Sequence, residues 1–375
     1  MARAFLDLAP RPPHAGMIAC PLPRGDVQSP LEWFDASHPY PNQASVAAAE
    51  RALAIAGDAR AADGVLLVLL SGGASAMLTA PVDGVSLSDK VATARDLMHA
   101  GVAIGELNCV RKHLSRVKGG QLAAAASRTV TLSISDVHTP IADDPSVIGS
   151  GPTVGDPTTF VQAIHITNRV QTLPASVRRY LERGAAGRVP ETVKPGDPRL
   201  NDAVYEVIGN RLTAMHGARI AAESFGYEVV MIDEPTFGEA RGAAALFVRR
   251  AADLAARARG PLCVLAAGET TVTVAGHGRG GRNQEFALAS APAIAAIGDD
   301  VVLASVGTDG ADGPTDAAGA IVDPATLERG ARAGLDWNVF LADNDAYRFF
   351  APLGDLVRWG PTGTNVGDVQ LFLRA

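Results

Sequence analysis

The sequence has few aromatic residues and no excess of positive charge. Aromatic residues make up 5% of the 375 residues, which is too few to provide stacking surfaces for single-stranded nucleic acid. The formal net charge is −7 at pH 7, so general attraction to DNA, RNA or anionic lipid is not expected. We therefore predict no nucleic-acid or membrane partner. Small-molecule anions remain candidate substrates, because a few arginines in one loop can bind them locally.

Cysteine is also scarce, and long apolar runs are absent. Cys20, Cys109 and Cys263 lie far apart and form no CxxC pair, so neither a disulfide framework nor a zinc site is expected. The N-terminus carries an arginine and an aspartate in its apolar run, which argues against a signal peptide. The longest strongly apolar run, residues 65–70, is too short to span a bilayer. These features predict a cytoplasmic protein, with a homodimer left open.

Short β-rich runs alternate with alanine-rich helical runs, which is typical of an α/β fold. The β-rich runs show no polar alternation, as expected for strands that are covered on both faces. We predict strands at residues 64–70, 129–135, 227–233, 261–267 and 301–307. We predict helices at residues 86–99 and 211–224 and from Asn283 onwards.

The region most suited to a domain boundary lies in the middle of the chain. Residues 185–202 are rich in proline, glycine and charge, and Gly238 offers a second position. We favour the second position, because residues 227–233 look like one more strand of the first domain. The predicted domains are therefore residues 1–237 and residues 238–375.

Residues 275–286 read AGHGRGGRNQEF and contain the G-x-G-x-x-G spacing of a dinucleotide-binding loop. A nicotinamide site also needs an acid at the end of the next strand, whereas Asp299 and Asp300 precede that strand. Arg279 and Arg282 are suited to bidentate binding of carboxylate or phosphate oxygens. The pattern therefore favours an anion-binding loop over a dinucleotide site.

Two segments of the N-terminal half also offer groups that bind anions. SGGASA follows a strong strand, and its glycines allow N–H groups to converge on an anion, although a tight turn explains it equally well. NCVRKHLSRVKGGQ carries cations without interleaved acids, although such a run is usually a solvated helix face. The candidate ligands of substrate or ATP in these segments are Ser71, Gly72, Gly73, Ser75, Arg111, Lys112, His113 and Lys118.

Polar, glycine-containing turns follow several predicted strands, where ligands bind in open parallel sheets. Asp136 directly follows a strand, so it could hold Mg²⁺ or accept a hydroxyl proton, with turn capping as the alternative. Asp309 in GTDGADGPTD is the second candidate ligand of Mg²⁺, again with turn chemistry as the alternative. The other candidate binding residues near strand ends or in the arginine loop are Glu269, Thr270, Arg279, Asn283, Thr364 and Asn365.

Longer runs resemble the glycerate 2-kinase family, whose C-terminal part is called the MOFRL domain. The main matching runs are SGGASAML, LNCVRKHLSRVKGGQLA, DDPSVIGSGPTVGDPTTF, GETTVTVAGHGRGGRNQEFALA, GTDGADGPTDAAGAIVD and GPTGTNVGD. Together with HPYPN near Pro39, they cover nearly the whole chain in the order of the family. Runs of this length are far more specific than the short motifs above.

The resemblance implies transfer of the γ-phosphoryl group of ATP to the 2-hydroxyl of D-glycerate, with Mg²⁺. It also implies an α/β fold with a Rossmann-like α/β/α N-terminal domain and a smaller α/β MOFRL domain. Asp136 and Arg282 match positions regarded as catalytic in the family. Asp136 would accept the hydroxyl proton or help to place Mg²⁺, and Arg282 would neutralise phosphoryl charge or hold the glycerate carboxylate.

The chain departs from the family pattern at its start. In the family, a strand and a glycine-rich loop ending in a catalytic lysine precede the helix that MARAFLDL continues. We therefore expect the chain from Met1 to phosphorylate glycerate more slowly than a form extended upstream. Two alternative functions stay open: a hydroxypyruvate reductase, a name also attached to this family, and a catalytically impaired homologue that binds glycerate or nucleotide.

Overall fold

A computed structural model describes residues 1–21, 31–298 and 300–375, so Asp299 lies outside the described residues. The chain divides into two compact units. The first unit comprises Met1–Ser133 and Ile141–Ile208, and the second comprises Ile134–Pro140 and Gly209–Ala375. In the described part of the chain, no helix is long and apolar enough to cross a membrane.

The first unit is built from short parallel sheets and eight helices among the described residues. Its strands are β1 (Gly16–Cys20), β2 (Leu31–Asp35), β3 (Val65–Leu70), β4 (Arg128–Ile134) and β5 (Ala203–Gly209), the last two ending at the boundary of the unit. Its helices are α1 (Ala2–Leu8), α2 (Gln43–Ala61), α3 (Ala74–Met77), α4 (Leu87–His99), α5 (Ile104–His113), α6 (Gln121–Ala125), α7 (Phe160–Thr167) and α8 (Ala175–Ala185). Strand β1 pairs in parallel with β2, and β3 pairs in parallel with β4 in a sheet of order β3-β4-β5.

A helical core lies within the first unit. Leu97 of α4, Leu107 of α5, Phe160 of α7 and Leu181 of α8 are buried in one cluster. Helix α4 begins where the sequence predicts, because the side chain of Ser86 accepts a hydrogen bond from the N–H of Asp89. This core supports α5, which carries the predicted cationic run.

The second unit contains one mixed sheet covered by helices. Its strands are β6 (Glu228–Met231), β7 (Thr236–Glu239), β8 (Leu262–Thr271), β9 (Val301–Gly307), β10 (Gly319–Val322), β11 (Leu356–Val357) and β12 (Asp368–Arg374). Its helices are α9 (Arg211–Ser224), α10 (Ala240–Ala255), α11 (Arg282–Ile297), α12 (Thr326–Arg332), α13 (Trp337–Ala342) and α14 (Ala346–Phe350). The strand order is β11-β10-β9-β12-β8-β6, and β7 also pairs with β8.

Strand β8 is buried on both faces, which explains why its sequence has no polar alternation. Leu265 packs with buried residues of α9, whereas the adjacent Val264 packs with those of α10 and α11. The central strands therefore lie between two helical layers. Both units combine helices with parallel strand pairs, and the predicted α/β class is confirmed.

One sequence expectation about the sheet is wrong. We expected residues 227–233 to add a strand to the first domain, but β6 pairs in parallel with β8 in the second unit. Its central residues 229–232 are apolar, and an apolar run does not indicate which sheet a strand joins. The family domain boundary between residues 237 and 238 stays a prediction, while the second compact unit itself resumes at Gly209.

Candidate active site

Strand β12 places a buried carboxylate between the ends of two neighbouring strands. Asp368 lies in register with Gly268 of β8 and with Gly307 of β9, and its side chain is fully buried. A Cβ atom on Gly268 would overlap the carbonyl oxygen of Thr236, so this close packing requires glycine there. Because both flanking strands carry glycine here, the residues that follow them lie close to Asp368.

Arg282 begins α11 and binds two carboxylates. Its Nε donates to Oδ2 of Asp368 at 2.6 Å, and its Nη2 donates to Oδ1 of the same residue at 3.0 Å. Its Nη1 lies 3.0 Å from Oε1 of Glu269. Burial acts to lower the pKa of Arg282, but the hydrogen bond and charge of Asp368 raise it overall. The guanidinium is therefore charged at every working pH, with one buried partner and one partly exposed partner.

Carboxylates collect around this arginine within the second unit. Burial raises the pKa of Glu269, and the charges of Asp368, Asp136 and Asp309 raise it further, against the effect of Arg282. The Nδ2 of Asn365 lies 3.4 Å from Oδ2 of Asp136. The structure thus brings together predicted site residues that lie far apart in the sequence.

The GPTGTNVGD loop is attached to the turn that carries Asp309. The N–H of Thr362 donates to the carbonyl of Asp309 at 3.2 Å, and the N–H of Thr364 donates to Oγ1 of Thr362. The N–H of Gly367 donates to Oδ1 of Asn365 at 3.0 Å, which orients the amide group towards Asp136. The neighbouring Thr270 is buried in β8.

The glycine loop that opens the arginine motif binds another loop of the protein. The N–H groups of residues 275 and 276 donate to Oδ1 of Asn344, and that of His277 donates to Oδ1 of Asp343. The N–H of residue 278 donates to the carbonyl of Asp343, and that of Arg279 donates to Oδ1 of Asp345. These N–H groups are therefore already bound by the protein's own acidic loop, rather than directed at a ligand.

Arg279 and Asn283 lie on either side of Arg282 and have structural contacts of their own. The guanidinium of Arg279 lies 4.5 Å from the centre of the Tyr347 ring, and its Nε donates to the carbonyl of Pro314. Asn283 is buried, and its Nδ2 donates to Oδ1 of Asp368 at 2.9 Å. A binding role for either residue stays a prediction.

The N-terminus of α11 is capped by a carboxylate from a distant loop. Asp312 accepts hydrogen bonds from the N–H groups of Asn283 at 3.1 Å and Gln284 at 2.8 Å. Burial raises the pKa of Asp312 to about 6, while these hydrogen bonds lower it. The capping residue Gly281 has no side chain of its own and packs directly on Asp312. This cap takes the place that an anionic ligand would occupy at the start of the helix.

We expect Gly281→Ala to destabilise the protein by about 1–3 kcal/mol, the usual range for overpacking. The new Cβ would overlap the carboxylate of Asp312 and displace the cap of α11. Gly280→Ala is the matched control, because its Cβ would lie 3.4 Å from the nearest atom, the backbone nitrogen of Ala346. Urea unfolding should show the loss only for the variant at Gly281. Equal stabilities would show that this close packing is unimportant.

The first unit contains a network of hydroxyl and amide groups around the SGGASA turn. The Oγ of Ser75 lies 2.8 Å from Oγ of Ser150, which donates to Oδ1 of Asn108 at 3.1 Å. Lys118 is buried, and its Nζ donates to the carbonyl of Ser75 at 2.8 Å and also to those of two other residues, Leu78 and Gly149. Lys118 thus stabilises the turn through these three backbone carbonyl groups.

The rest of this turn is formed by the other candidate residues. Gly73 has a φ of 78°, a conformation that favours glycine, and it immediately precedes α3. The carbonyl of Ser71 accepts a hydrogen bond from the N–H of Ala74 at 3.4 Å. Ser71, Gly72 and Gly73 are all partly exposed, so a bound anion could reach them.

Three cations influence one another in the same unit. Burial lowers the pKa of Lys118, and the charges of Lys90 and Arg111 lower it further. Arg111 is partly buried and has no hydrogen-bond or ion-pair partner among the residues that the structure describes. We call Lys90, Arg111 and Lys118 the basic cluster. No acid of the described chain pairs with the cluster directly, and its permanent positive charge lies on Arg111.

Lys112 and His113 differ from the basic cluster because acids bind them. The Nζ of Lys112 lies 3.5 Å from Oδ1 of Asp156, and both side chains are buried. The Nε2 of His113 lies 3.0 Å from Oε2 of Glu191, and its Nδ1 lies 2.8 Å from the carbonyl oxygen of Cys109. These contacts anchor α5, and a binding role for either residue stays a prediction.

We expect Lys90→Met to change how stability depends on pH. Lys90 is buried, with its Nζ donating to the carbonyl of Leu114 at 2.7 Å. Burial and the charge of Arg111 lower its pKa to about 7. Between pH 7 and pH 10 the unfolded chain therefore holds a proton that the folded chain lacks, so the wild type gains stability as the pH rises.

The difference in unfolding free energy between wild type and Lys90→Met should shift by roughly 3 kcal/mol over that interval, in favour of the wild type at high pH. Lys194→Met, which alters a partly exposed lysine of the same unit, is the control. Urea unfolding at several pH values measures both differences. A difference for Lys90→Met that stays constant with pH would contradict the lowered pKa.

Sequence reasoning missed Asp368 and Lys90, and it considered Asp312 for metal, ribose or turn chemistry but not as the cap of α11. Asp368 ends the run GPTGTNVGD, and Asp312 lies within GTDGADGPTD, so both belong to segments that the sequence singled out. In such segments, the local sequence does not distinguish an aspartate that becomes a buried counterion from one that forms a turn. Lys90 lies on an ordinary helical pattern and carries no sequence signal of burial.

The chain is similar to known proteins over its whole length. Residues 1–182 match a domain of unknown function designated DUF4147, and residues 262–368 match the MOFRL family. A protein of Pyrococcus horikoshii named glycerate 2-kinase is 36% identical over 100% of this chain and 84% of its own length. A protein of Agrobacterium vitis provisionally named a hydroxypyruvate reductase is 40% identical over 92% of this chain and 77% of its own length. The crystal structure of a glycerate kinase from Thermotoga maritima gives a TM-score of 0.85 at 33% identity, covering 96% of this chain and 85% of that chain.

Proposed function

Because the chain belongs to the glycerate kinase family, as its sequence resemblance predicted, we propose that it phosphorylates D-glycerate with ATP to give 2-phosphoglycerate. The observation that carries the proposal is the group formed by Arg282, Asp136 and Glu269 in the second unit. Phosphoryl transfer depends on positioning and on electrostatic stabilisation more than on covalent chemistry by the protein. A held guanidinium beside ionisable carboxylates supplies both requirements.

Arg282 neutralises negative charge on the transferring phosphoryl group or binds the glycerate carboxylate. Two of its nitrogen atoms, Nε and Nη2, are bound by the buried Asp368, so the guanidinium cannot rotate freely. Its third nitrogen, Nη1, contacts Glu269, whose side chain is 44% exposed. An oxygen of the substrate can replace this exposed carboxylate, because both present the same kind of acceptor to the guanidinium.

Asp136 accepts the proton of the glycerate 2-hydroxyl. It lies two residues beyond the end of β4, is partly buried and lies beside the amide of Asn365. A carboxylate in this position can bind a hydroxyl group and take its proton as the bond to phosphorus forms. The charges of Asp136 and Asp309 help to raise the pKa of the neighbouring Glu269, which shows that these carboxylates lie close together.

Asp136 and Asp309 are the residues that would hold Mg²⁺ bound to ATP. Mg²⁺ prefers oxygen ligands and is usually held by one or two carboxylates, with phosphate oxygens and water completing its shell. In the described ranges, no group of three or more acidic, histidine or cysteine side chains is already arranged around a metal position. Asp136 and Asp309 both raise the pKa of Glu269, so two carboxylates close to one another are available for this mode of binding. When bound, Mg²⁺ neutralises phosphate charge.

The first unit has groups of its own that can bind anions. Arg111 is the strongest candidate, since it is charged, partly buried and without a pairing acid among the described residues. The exposed edge of the turn at Ser71 and Gly73 offers hydroxyl and N–H groups. Lys118 supports this turn through the carbonyl of Ser75 rather than through its own exposure. Arg111 and the turn would therefore contact a bound anion directly, whereas Lys118 would act by supporting the turn.

Two alternatives remain as outcomes of the functional test. A hydroxypyruvate reductase would need a nicotinamide site, but the N–H groups of the glycine loop bind Asp343, Asn344 and Asp345. A catalytically impaired homologue would bind glycerate or nucleotide without turnover. We also propose a cytoplasmic location, which the three unpaired cysteines support.

Two assays on one preparation separate these functions. The first follows ADP release with D-glycerate, ATP and Mg²⁺, and the second follows NADH absorbance with hydroxypyruvate. We expect ADP release that requires D-glycerate, and no glycerate-independent background of similar size. NADH oxidation without ADP release would replace the proposal with the reductase. Calorimetric binding of ATP or glycerate without turnover in either assay would identify an impaired homologue.

A further inference from the structure

We propose that Asp368 is a positioning residue that holds the Arg282 guanidinium in one orientation, and that Asn283 and Ser305 hold Asp368 in turn. The inference rests on the proposed function, because the orientation of Arg282 matters for catalysis only if this arginine acts on the substrates. It concerns residues to which sequence analysis gave either no role or a direct binding role.

The contact between Asp368 and Arg282 restrains the whole plane of the guanidinium. Both carboxylate oxygens accept a hydrogen bond, one from Nε at 2.6 Å and one from Nη2 at 3.0 Å. Two parallel bonds of this kind define direction as well as distance. They leave Nη1 and the second N–H of Nη2 for other partners.

A chain of buried hydrogen bonds holds the carboxylate itself. The Nδ2 of Asn283 donates to Oδ1 of Asp368 at 2.9 Å, and Oγ of Ser305 donates to Oδ1 of Asn283 at 2.6 Å. All three side chains are at most 1% exposed. Ser305 lies in register with Gln370, which is two residues along β12 from Asp368. The series of hydrogen bonds therefore runs along one face of the sheet. Water cannot compete for these bonds, and Asp368 keeps a single orientation.

The two carboxylates on Arg282 therefore have different roles. Asp368 is 0% exposed, whereas the side chain of Glu269 is 44% exposed. An incoming substrate can reach the Glu269 side of the guanidinium but not the Asp368 side. Asp368 thus acts through Arg282 without touching the substrate, and it determines where the free edge of the guanidinium points.

The kinetic test compares two aspartates that each bind an arginine in the second unit. Asp368→Asn removes the charge beside Arg282, and Asp355→Asn removes a charge that accepts a 2.6 Å hydrogen bond from Arg329. We expect Asp368→Asn to lower kcat by about 100-fold, as misplacement of a catalytic group does, with little change in KM for ATP. We expect Asp355→Asn to leave kcat unchanged. Equal kcat values for both variants and the wild type would overturn the inference.

A second measurement reports the orientation of the Arg282 guanidinium and does not depend on catalytic activity. In ¹⁵N-labelled wild type, the Nε–H of Arg282 should give a slowly exchanging resonance, assigned by its loss in Arg282→Lys. Asp355→Asn should keep this resonance and Asp368→Asn should lose it. A resonance that survives in Asp368→Asn would overturn the inference. An inactive wild type would count against the proposed function alone, since the resonance would still decide whether Asp368 holds Arg282.

A gentler variant covers the case in which Asp368→Asn does not fold. Ser305→Ala keeps the ion pair and removes the hydrogen bond to Asn283, together with a long 3.5 Å contact from Nε2 of Gln370. We expect it to fold and to lower kcat by roughly threefold to tenfold, the effect of one hydrogen bond. Wild-type kcat together with an unchanged Nε–H resonance in this variant would show that the buried chain does not position Arg282.

Discussion

Arg282→Lys is expected to lower the turnover of glycerate by about 100-fold or more, although the positive charge is kept. A lysine has one ammonium group on a flexible stem. It cannot make two parallel bonds to Asp368 while also presenting a third group at the position of Nη1. The positive charge would therefore no longer lie where negative charge builds up on the transferring phosphoryl group. A 100-fold loss corresponds to about 3 kcal/mol of transition-state stabilisation.

Arg329→Lys is the matched control for this experiment. Arg329 also binds two carboxylates in the second unit, those of Asp323 and Asp355. Steady-state assays of ADP release give kcat and KM for both variants. We expect Arg329→Lys to lower stability without lowering kcat. An Arg282→Lys protein with wild-type kcat and KM would remove this arginine from the active site.

Asp136→Asn is expected to abolish most phosphoryl transfer while leaving the melting temperature nearly unchanged. The amide keeps the size of the carboxylate, so packing after β4 should persist. It cannot accept the hydroxyl proton, and loss of a general base typically costs about 10²–10⁴ in rate. ADP release and thermal unfolding, measured on the same sample, check both parts of this expectation.

Asp316→Asn is the control for Asp136→Asn. Asp316 is an exposed aspartate of the second unit whose Oδ1 accepts a hydrogen bond from Tyr347, so its loss should not affect turnover. If Asp136→Asn instead unfolds, and its folded fraction keeps the wild-type specific activity, Asp136 is a turn cap and not a base.

The sequence predicts local structure well wherever one segment determines it. Strands β3, β8 and β9 lie at the predicted positions because their apolar runs suit burial between two layers, and β4 lies within one residue of its predicted position although Thr and Ser alternate with its apolar residues. The start of α11 is also predicted to within one residue. The sheet that β6 joins is not predictable in the same way, because an apolar run fits any buried sheet equally well.

The candidate site is predictable only in part, since its geometry depends on distant residues. The G-x-G-x-x-G spacing gives no indication that residues 343–345, well over 50 positions later, take up the N–H groups of the loop. The partner that orients Arg282, Asp368, is 86 positions away in the sequence. Family resemblance predicts roles for Asp136 and Arg282, but only the antiparallel register of β12 with β8 and β9 explains what holds Arg282 in place.

The most direct test of the account is a ³¹P NMR spectrum of the product formed from D-glycerate and ATP by the wild-type chain. We expect a new phosphomonoester signal split into a doublet by the single proton on the carbon of the 2-hydroxyl. The signal should grow with ADP and should be lacking in parallel samples with Arg282→Lys over the same time. A triplet would place the phosphate on the primary hydroxyl and contradict transfer to the 2-hydroxyl. A spectrum without any new phosphomonoester, from protein that binds ATP and glycerate, would contradict the kinase function itself.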